Sequence, residues 1–176
     1  MKKHILITGM VILLILRLVM NTSSGVEPEE VPEEIIEPEI TYEKFYTEED
    51  VLMIAKVLYT ECRGEPSVTE QACVAWTILN RVDGAEGNTV ASVVTAPNQF
   101  AYSYNTPVWD NLYWLAEDVL ERWSLEKNGE TEVGRVLPPD YKWFVANKGG
   151  LGNVFRNSYS APYDIWDFSL PSPYEN

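Results

Sequence analysis

The sequence predicts an α+β domain that is mainly α-helical and carries a small C-terminal β-hairpin element. Two observations support this prediction: apolar residues recur at helical spacing up to about residue 126, and short, aromatic, β-prone stretches follow. A chain of 176 residues, 45% of them hydrophobic, is sufficient for one core. We therefore expect a targeting segment over residues 1–25, a linker over 26–45 and one folded domain over 46–176.

Residues 1–25 have the pattern of an export signal. A positive start, "MKKH", precedes an apolar run from Ile5 to Leu16, and "NTSSG" offers small residues at which a signal peptidase can cut. An uncleaved membrane anchor reaching Met20 is the alternative, although Arg17 is costly in hydrocarbon and leaves a short span. In either case we expect an exported, extracytoplasmic domain, secreted or anchored in the membrane.

Residues 26–45 are an acidic stretch rich in Glu and Pro, "VEPEEVPEEIIEPEITY" and the residues after it. Repulsion between like charges and the helix-blocking effect of proline predict an extended, disordered linker. Residues 27–50 hold eleven acids against Lys44, so they account for most of the formal net charge of −14. Because the sequence has no basic patch, we expect no nucleic-acid partner.

The folded domain opens with a helix. Thr47, followed three residues later by Asp50, forms a capping-box pattern and predicts a first helix from about Glu48 to Cys62. Gly64 is expected just past its end as a left-handed C-cap, and Pro66 prevents the helix from continuing.

A second helix follows after a five-residue joint. Ser67 and Glu70 form another capping-box pattern, and apolar spacing extends to about Val82. A disulfide between Cys62 and Cys73 is conceivable in an oxidising compartment. Because both cysteines occupy positions where a small apolar residue would pack, we expect two buried thiols instead.

Glu61 lies on the apolar stripe of the first helix. A carboxylate turned toward a core loses hydration, which favours the protonated state that a general acid needs. The alternative is an ordinary solvated glutamate at a helix end, or one paired with Arg63 or Arg81. Glu65 and Glu70 lie in the joint and the first turn of the second helix, where acids complement the helix dipole.

The only histidine, His4, falls in the targeting segment, so the domain has none. This argues against Ser-His-Asp and Cys-His nucleophilic schemes and against most hydrolytic zinc sites. A hydrolytic enzyme built on this domain would therefore depend on carboxylates for proton transfer.

The stretch "GNTVASVVTAPNQFAYSYNTP" predicts a short helix capped near Asn88 or Thr89, then a loop with Phe100 in the core. Amide groups suit sugar hydroxyls, and aromatic faces stack on sugar CH groups. An ordinary surface loop is the alternative. The candidates for sugar binding on this loop are Gln99, Tyr102 and Tyr104.

A long helix and a β-hairpin complete the prediction. Thr106 and Pro107 indicate the start of a helix that runs to about Glu126. Its expected buried face consists of Leu112, Leu115, Ala116, Val119 and Trp123. The stretches "YKWFVA" and "GNVFRNSY", joined through "NKGGLG", predict a hairpin beside the helices, forming one wall of a cleft.

The stretch "YTECRGEPSVTEQACVAWTILNRV" resembles the signature of the bacterial cell-wall hydrolases related to spore cortex-lytic enzymes. That signature has a glutamate, a small residue, Arg-Gly-Glu and then a run ending in Leu-Asn-Arg-Val. "NTVASVVTAPNQF" continues the resemblance, which covers roughly Val51 to Phe100. It is weaker around "YKWFVAN" and "NVFRN", where members of the family often carry a histidine that is missing here.

The resemblance implies a lysozyme-like catalytic domain that acts on the glycan strand of peptidoglycan, in wall or spore-cortex remodelling, with Glu61 as the catalytic acid. The family is regarded as cleaving between N-acetylmuramic acid and N-acetylglucosamine, commonly as lytic transglycosylases. The substrate's C6 hydroxyl is then the nucleophile, so one carboxylate suffices and no metal or cofactor is required. Arg63 and Gln99 are assigned to substrate positioning.

Two alternatives stay open. A hydrolytic muramidase would use a second carboxylate, for which Glu65, Glu70 and Asp83 are candidates. A non-catalytic glycan-binding or assembly module would keep the fold without the activity. Recruitment to the wall is expected through the anchor, the linker or a protein partner that the sequence does not identify.

Overall fold

Four helices followed by a two-stranded antiparallel sheet form the fold in the computed structural model, which describes residues 42–85, 87–148 and 152–175. The mainly helical α+β architecture predicted from the sequence is confirmed. The predicted targeting segment and residues 26–41 of the predicted linker lie outside the described residues. Among the described helices, none is both long and apolar enough to cross a membrane.

Helix α1 spans Glu48–Cys62, as predicted, and the capping box at its start forms in both directions. The residue after the helix, Arg63, has φ −58°, in the right-handed helical region. Gly64 is not among the residues with positive φ, so the prediction of a left-handed cap there is wrong. The chain instead leaves α1 through a tight turn, in which the Glu65 N–H donates to the Cys62 carbonyl at 2.9 Å.

Helix α2 spans Val68–Val82 and begins at the predicted cap. The Ser67 side chain accepts the Glu70 N–H at 3.2 Å. The reciprocal half of the capping box is not formed, because the Glu70 carboxylate accepts the backbone N–H of Asn153 instead. The first turn of α2 is thereby joined to the β-hairpin.

Helix α3 spans Val90–Val94 and is capped by Thr89, one of the two predicted caps. Helix α4 spans Asp110–Lys127, so its predicted start at Thr106 and Pro107 is too early. Val108 packs against the core and Trp109 is extended, with φ −96° and ψ 141°, which keeps this segment out of the helix. All five residues of the predicted buried face of α4 are buried.

The predicted hairpin is confirmed. Strands β1, Trp143–Ala146, and β2, Asn153–Arg156, pair antiparallel with Phe144 opposite Phe155. The Phe155 side chain is fully buried, and its ring centroid lies 5.7 Å from that of Phe144, which lies 6.2 Å from that of Phe100. These rings fix the hairpin against the loop that follows α3.

The core lies between α1, α2 and α4, where Ile54, Trp76 and Leu115 are buried. Cys62 and Cys73 belong to this core as free thiols. The prediction of two buried thiols is therefore confirmed, and no disulfide joins α1 to α2.

Candidate active site

A surface groove of about 330 Å³ lies between the end of α1 and the base of the β-hairpin. Residues 60–65, the last turn of α1 and the joint after it, line one side. Ala146 at the end of β1, with Gly152 and Asn153 at the start of β2, lines the other. The hairpin thus forms one wall of a cleft, as the sequence predicts.

Glu61 is half-buried in the last turn of α1 and lines this groove. Its Oε1 accepts a hydrogen bond from the backbone N–H of Ala101 at 2.7 Å. Neither Arg63 nor Arg81 forms an ion pair with it in the part of the chain that the structure describes. The carboxylate is therefore held at the groove by the loop after α3, and Oε2 has no hydrogen-bond partner among the described residues.

Arg63 lines the groove on the same side as Glu61. Its Nη1 donates to the Tyr59 carbonyl at 3.0 Å, and the guanidinium lies 4.8 Å from the centroid of the Tyr59 ring. A guanidinium has five N–H donors, so most of them remain available to a ligand. Arg63 and Glu61, both named as site residues from the sequence, therefore line the same groove.

Gln99 does not line this groove. Its Oε1 accepts a hydrogen bond from Arg81 Nη1 at 2.8 Å, and both residues line a separate pocket of about 210 Å³ beside α3. Arg81 also donates to the Lys142 carbonyl at 2.6 Å and lies over the Phe100 ring, and burial lowers the pKa of its guanidinium. Gln99 therefore supports the packing of Arg81 between α2 and the hairpin.

Tyr102 and Tyr104 follow Ala101 on the loop that holds Glu61. Tyr102 packs partly buried against the core, and desolvation raises the pKa of its phenol. Tyr104 is 77% exposed, with Lys56 Nζ lying 4.7 Å from its ring centroid. Neither tyrosine is among the residues that line the groove.

Of the three candidate second carboxylates, Glu65 lies in the groove. Its Oε1 accepts the Ser67 N–H at 3.0 Å. Asp83 lies at the end of α2, accepts a hydrogen bond from Trp123 Nε1 at 2.9 Å and pairs with Lys127 in another pocket. Asp83 therefore serves the contact between α2 and α4.

Glu70 contacts the hairpin at two residues that line the groove, Gly152 and Asn153. Besides accepting the Asn153 N–H, it packs on Gly152, where an added Cβ would lie 2.7 Å from each carboxylate oxygen. Burial, followed by the charge of Glu65, raises the pKa of Glu70 against the opposing effect of the hydrogen bond from Asn153. The sequence predicts a capping-box and helix-dipole role for Glu70, or a second carboxylate, but not this contact with the hairpin. The glycine-rich "NKGGLG" is a local hint of the close approach.

The described residues contain no cluster of three or more His, Cys, Asp or Glu side chains able to hold a metal ion. Comparisons with models of known protein families, with curated proteins and with solved structures found no match.

Proposed function

We propose that this protein cleaves the glycan strand of peptidoglycan between N-acetylmuramic acid and N-acetylglucosamine. It acts as a lytic transglycosylase on a lysozyme-like scaffold, leaves 1,6-anhydromuramic ends and remodels the cell wall or spore cortex outside the cytoplasm. The observation that carries the proposal is the carboxylate of Glu61, held in a groove by the Ala101 N–H. A groove bounded by a helix end and a hairpin also suits a long polymer, since the strand can pass along it.

Glu61 acts first as an acid and then as a base. Because Oε1 accepts the Ala101 N–H, the transferable proton of the neutral carboxyl belongs on Oε2. This proton passes to the glycosidic oxygen as its bond to C1 of the muramic residue breaks. The resulting carboxylate takes the proton of the C6 hydroxyl while O6 bonds to C1. The cycle consumes no water, so one carboxylate is sufficient.

The remaining candidate residues differ in how directly they meet the substrate. Arg63 lies in the groove and binds the strand, while Tyr102 and Tyr104 offer ring faces on the adjoining loop. Gln99 acts indirectly, because its amide holds Arg81. We therefore expect Arg63→Ala to weaken substrate binding more than Gln99→Ala.

A hydrolytic muramidase is the second candidate, and one observation favours it: Glu65 lines the same groove as Glu61. A second carboxylate there would activate a water molecule for attack on C1 in place of the C6 hydroxyl. Asp83 does not suit this role, because Trp123 and Lys127 hold it at the far end of α2.

Fragment analysis of digested peptidoglycan separates these candidates. The full chain is incubated with purified vegetative wall and with spore cortex, and the released fragments are weighed by mass spectrometry. Anhydromuramic ends that persist in the Glu65→Gln variant support the transglycosylase. Reducing ends that disappear in that variant would identify the muramidase. Wall binding without any fragments would leave a non-catalytic glycan-binding module.

A further inference from the structure

An aromatic surface continues the groove along the outside of α1. Tyr59 lies one turn before Arg63, which covers its ring at 4.8 Å and also lines the groove. The ring of Trp109 packs against Tyr59 with centroids 5.0 Å apart and planes at 88°. Arg63, Tyr59 and Trp109 thus form one contiguous surface, here called the aromatic shelf, that begins at the groove.

Trp109 occupies a position that stability alone does not explain. Its side chain is 45% exposed although indole is large and apolar. It is also the N-cap residue of α4, and of the four described helices this is the one without a side-chain cap hydrogen bond. A Ser, Thr, Asp or Asn side chain at this position would accept a backbone N–H of the first helical turn, which an indole ring cannot do. Functional or strained sites are where such local preferences are expected to be broken.

Two cationic side chains, Lys56 and Arg63, accompany the shelf. Lys56 lies seven residues before Arg63, on the same side of α1, with its Nζ 4.7 Å from the ring centroid of Tyr104. Neither Lys56 nor Arg63 forms an ion pair within the described ranges, although the chain carries a formal net charge of −14. The surface therefore combines exposed rings with cations that have no carboxylate partner among the described residues.

We propose that the aromatic shelf is a second binding site for the same glycan strand, outside the groove. A sugar ring stacks on Trp109, and Arg63 binds a carboxylate of a peptide attached to the strand. Aromatic faces pack on sugar CH groups, and a guanidinium pairs with carboxylates through two parallel hydrogen bonds. This inference rests on the proposed function, and it specifies the substrate as a peptide-bearing strand long enough to reach beyond Glu61.

Two exposed tryptophans, Trp109 at the N-cap of α4 and Trp114 within α4, provide the test and its control. Trp114 is 54% exposed on the same helix, but it packs on Tyr174 and lines a different pocket of about 280 Å³. In the full chain, Trp109→Ala should raise KM for long peptide-bearing strands about three- to tenfold, as expected for the loss of one aromatic contact. The kcat should be unchanged, Trp109→Tyr should restore KM, and Trp114→Ala should match wild type.

Binding measured without turnover separates this inference from the proposed function. In a Glu61→Gln background, isothermal titration calorimetry should report strand binding that Trp109→Ala weakens and Trp114→Ala does not. When Arg63 is present, strands without peptides should bind more weakly than strands with peptides. In the Arg63→Ala variant, the two kinds of strand should bind equally. Equal binding by Trp109→Ala and Trp114→Ala would overturn the shelf even if wild type cleaves peptidoglycan. If Trp109→Ala weakens binding and Trp114→Ala does not, the shelf is supported even if wild type does not cleave peptidoglycan.

Discussion

The contact between Glu70 and the hairpin gives the sharpest stability prediction. The Glu70 carboxylate accepts the Asn153 N–H, and the two residues are 83 positions apart. Glu70→Ala removes the acceptor and leaves a half-buried N–H unpaired, which costs about 1–3 kcal/mol. It also removes an acid from the first turn of α2, which costs about 0.3–1 kcal/mol.

A matched variant separates the two costs. Glu48 is an exposed acid in the first turn of α1, with no hydrogen bond or ion pair among the described residues. Glu48→Ala should therefore lose only the stabilisation that an acid in the first turn gains from the helix dipole. The difference of about 1–3 kcal/mol corresponds to a Tm difference of about 3–9 °C, at roughly 3 °C per kcal/mol for a domain of this size. Equal Tm values for the two variants at neutral pH would refute the contribution assigned to Glu70.

The pH dependence of the same contact has a defined sign. Because burial raises the pKa of Glu70, the folded protein binds this proton more tightly than the unfolded chain does. The stability that protonated Glu70 contributes is fully present below the pKa that Glu70 has in the unfolded chain. It is lost as pH rises through the pKa that Glu70 has in the folded protein. Glu70→Gln keeps an acceptor and does not titrate. The Tm of the variant minus the Tm of wild type should therefore increase between about pH 4 and about pH 7. A decrease over that range, measured by circular dichroism, would contradict the burial of the charge.

Two further predictions concern neighbours of this contact. Gly152→Ala should destabilise the protein, because φ is +94° and the new Cβ would meet the Glu70 carboxylate. Its penalty should shrink in a Glu70→Ala background, and equal penalties in a double-mutant cycle would contradict the close approach. Burial, followed by the charge of Glu61, raises the pKa of the Cys62 thiol, so iodoacetamide should label Cys62 in urea but not in the native protein. Rapid labelling of the native thiol would be inconsistent with its burial.

Local signals were enough to predict most helix boundaries. The caps at Thr47 and Ser67 satisfy backbone N–H groups with nearby side chains, so sequence spacing alone defines where α1 and α2 begin. The start of α4 could not be predicted in this way. Pro107 has the chemistry of a first helical residue, but Val108 packs partly buried against the core and Trp109 is extended, so the helix begins only at Asp110.

The contacts that build the groove could not be predicted, because they join distant parts of the chain. Apolar periodicity places Glu61 on one face of α1, but it holds no information about which segment meets that face 40 residues later. The same limit applies to Gln99, whose amide meets Arg81 because of the path of the chain around α3. No sequence signal identified Trp109 as a surface residue of interest, since its partner Tyr59 lies on α1, in a distant part of the chain.

The central claim is that Glu61 transfers the proton in glycan cleavage, and the rate of anhydromuramic end formation tests it most directly. Glu61→Gln keeps an oxygen that can accept the Ala101 N–H but has no acidic proton to give. We predict that its Tm matches wild type while the rate falls at least about a hundredfold, the lower range for losing a general acid. A Glu61→Gln protein that forms anhydromuramic ends at the wild-type rate would contradict the account.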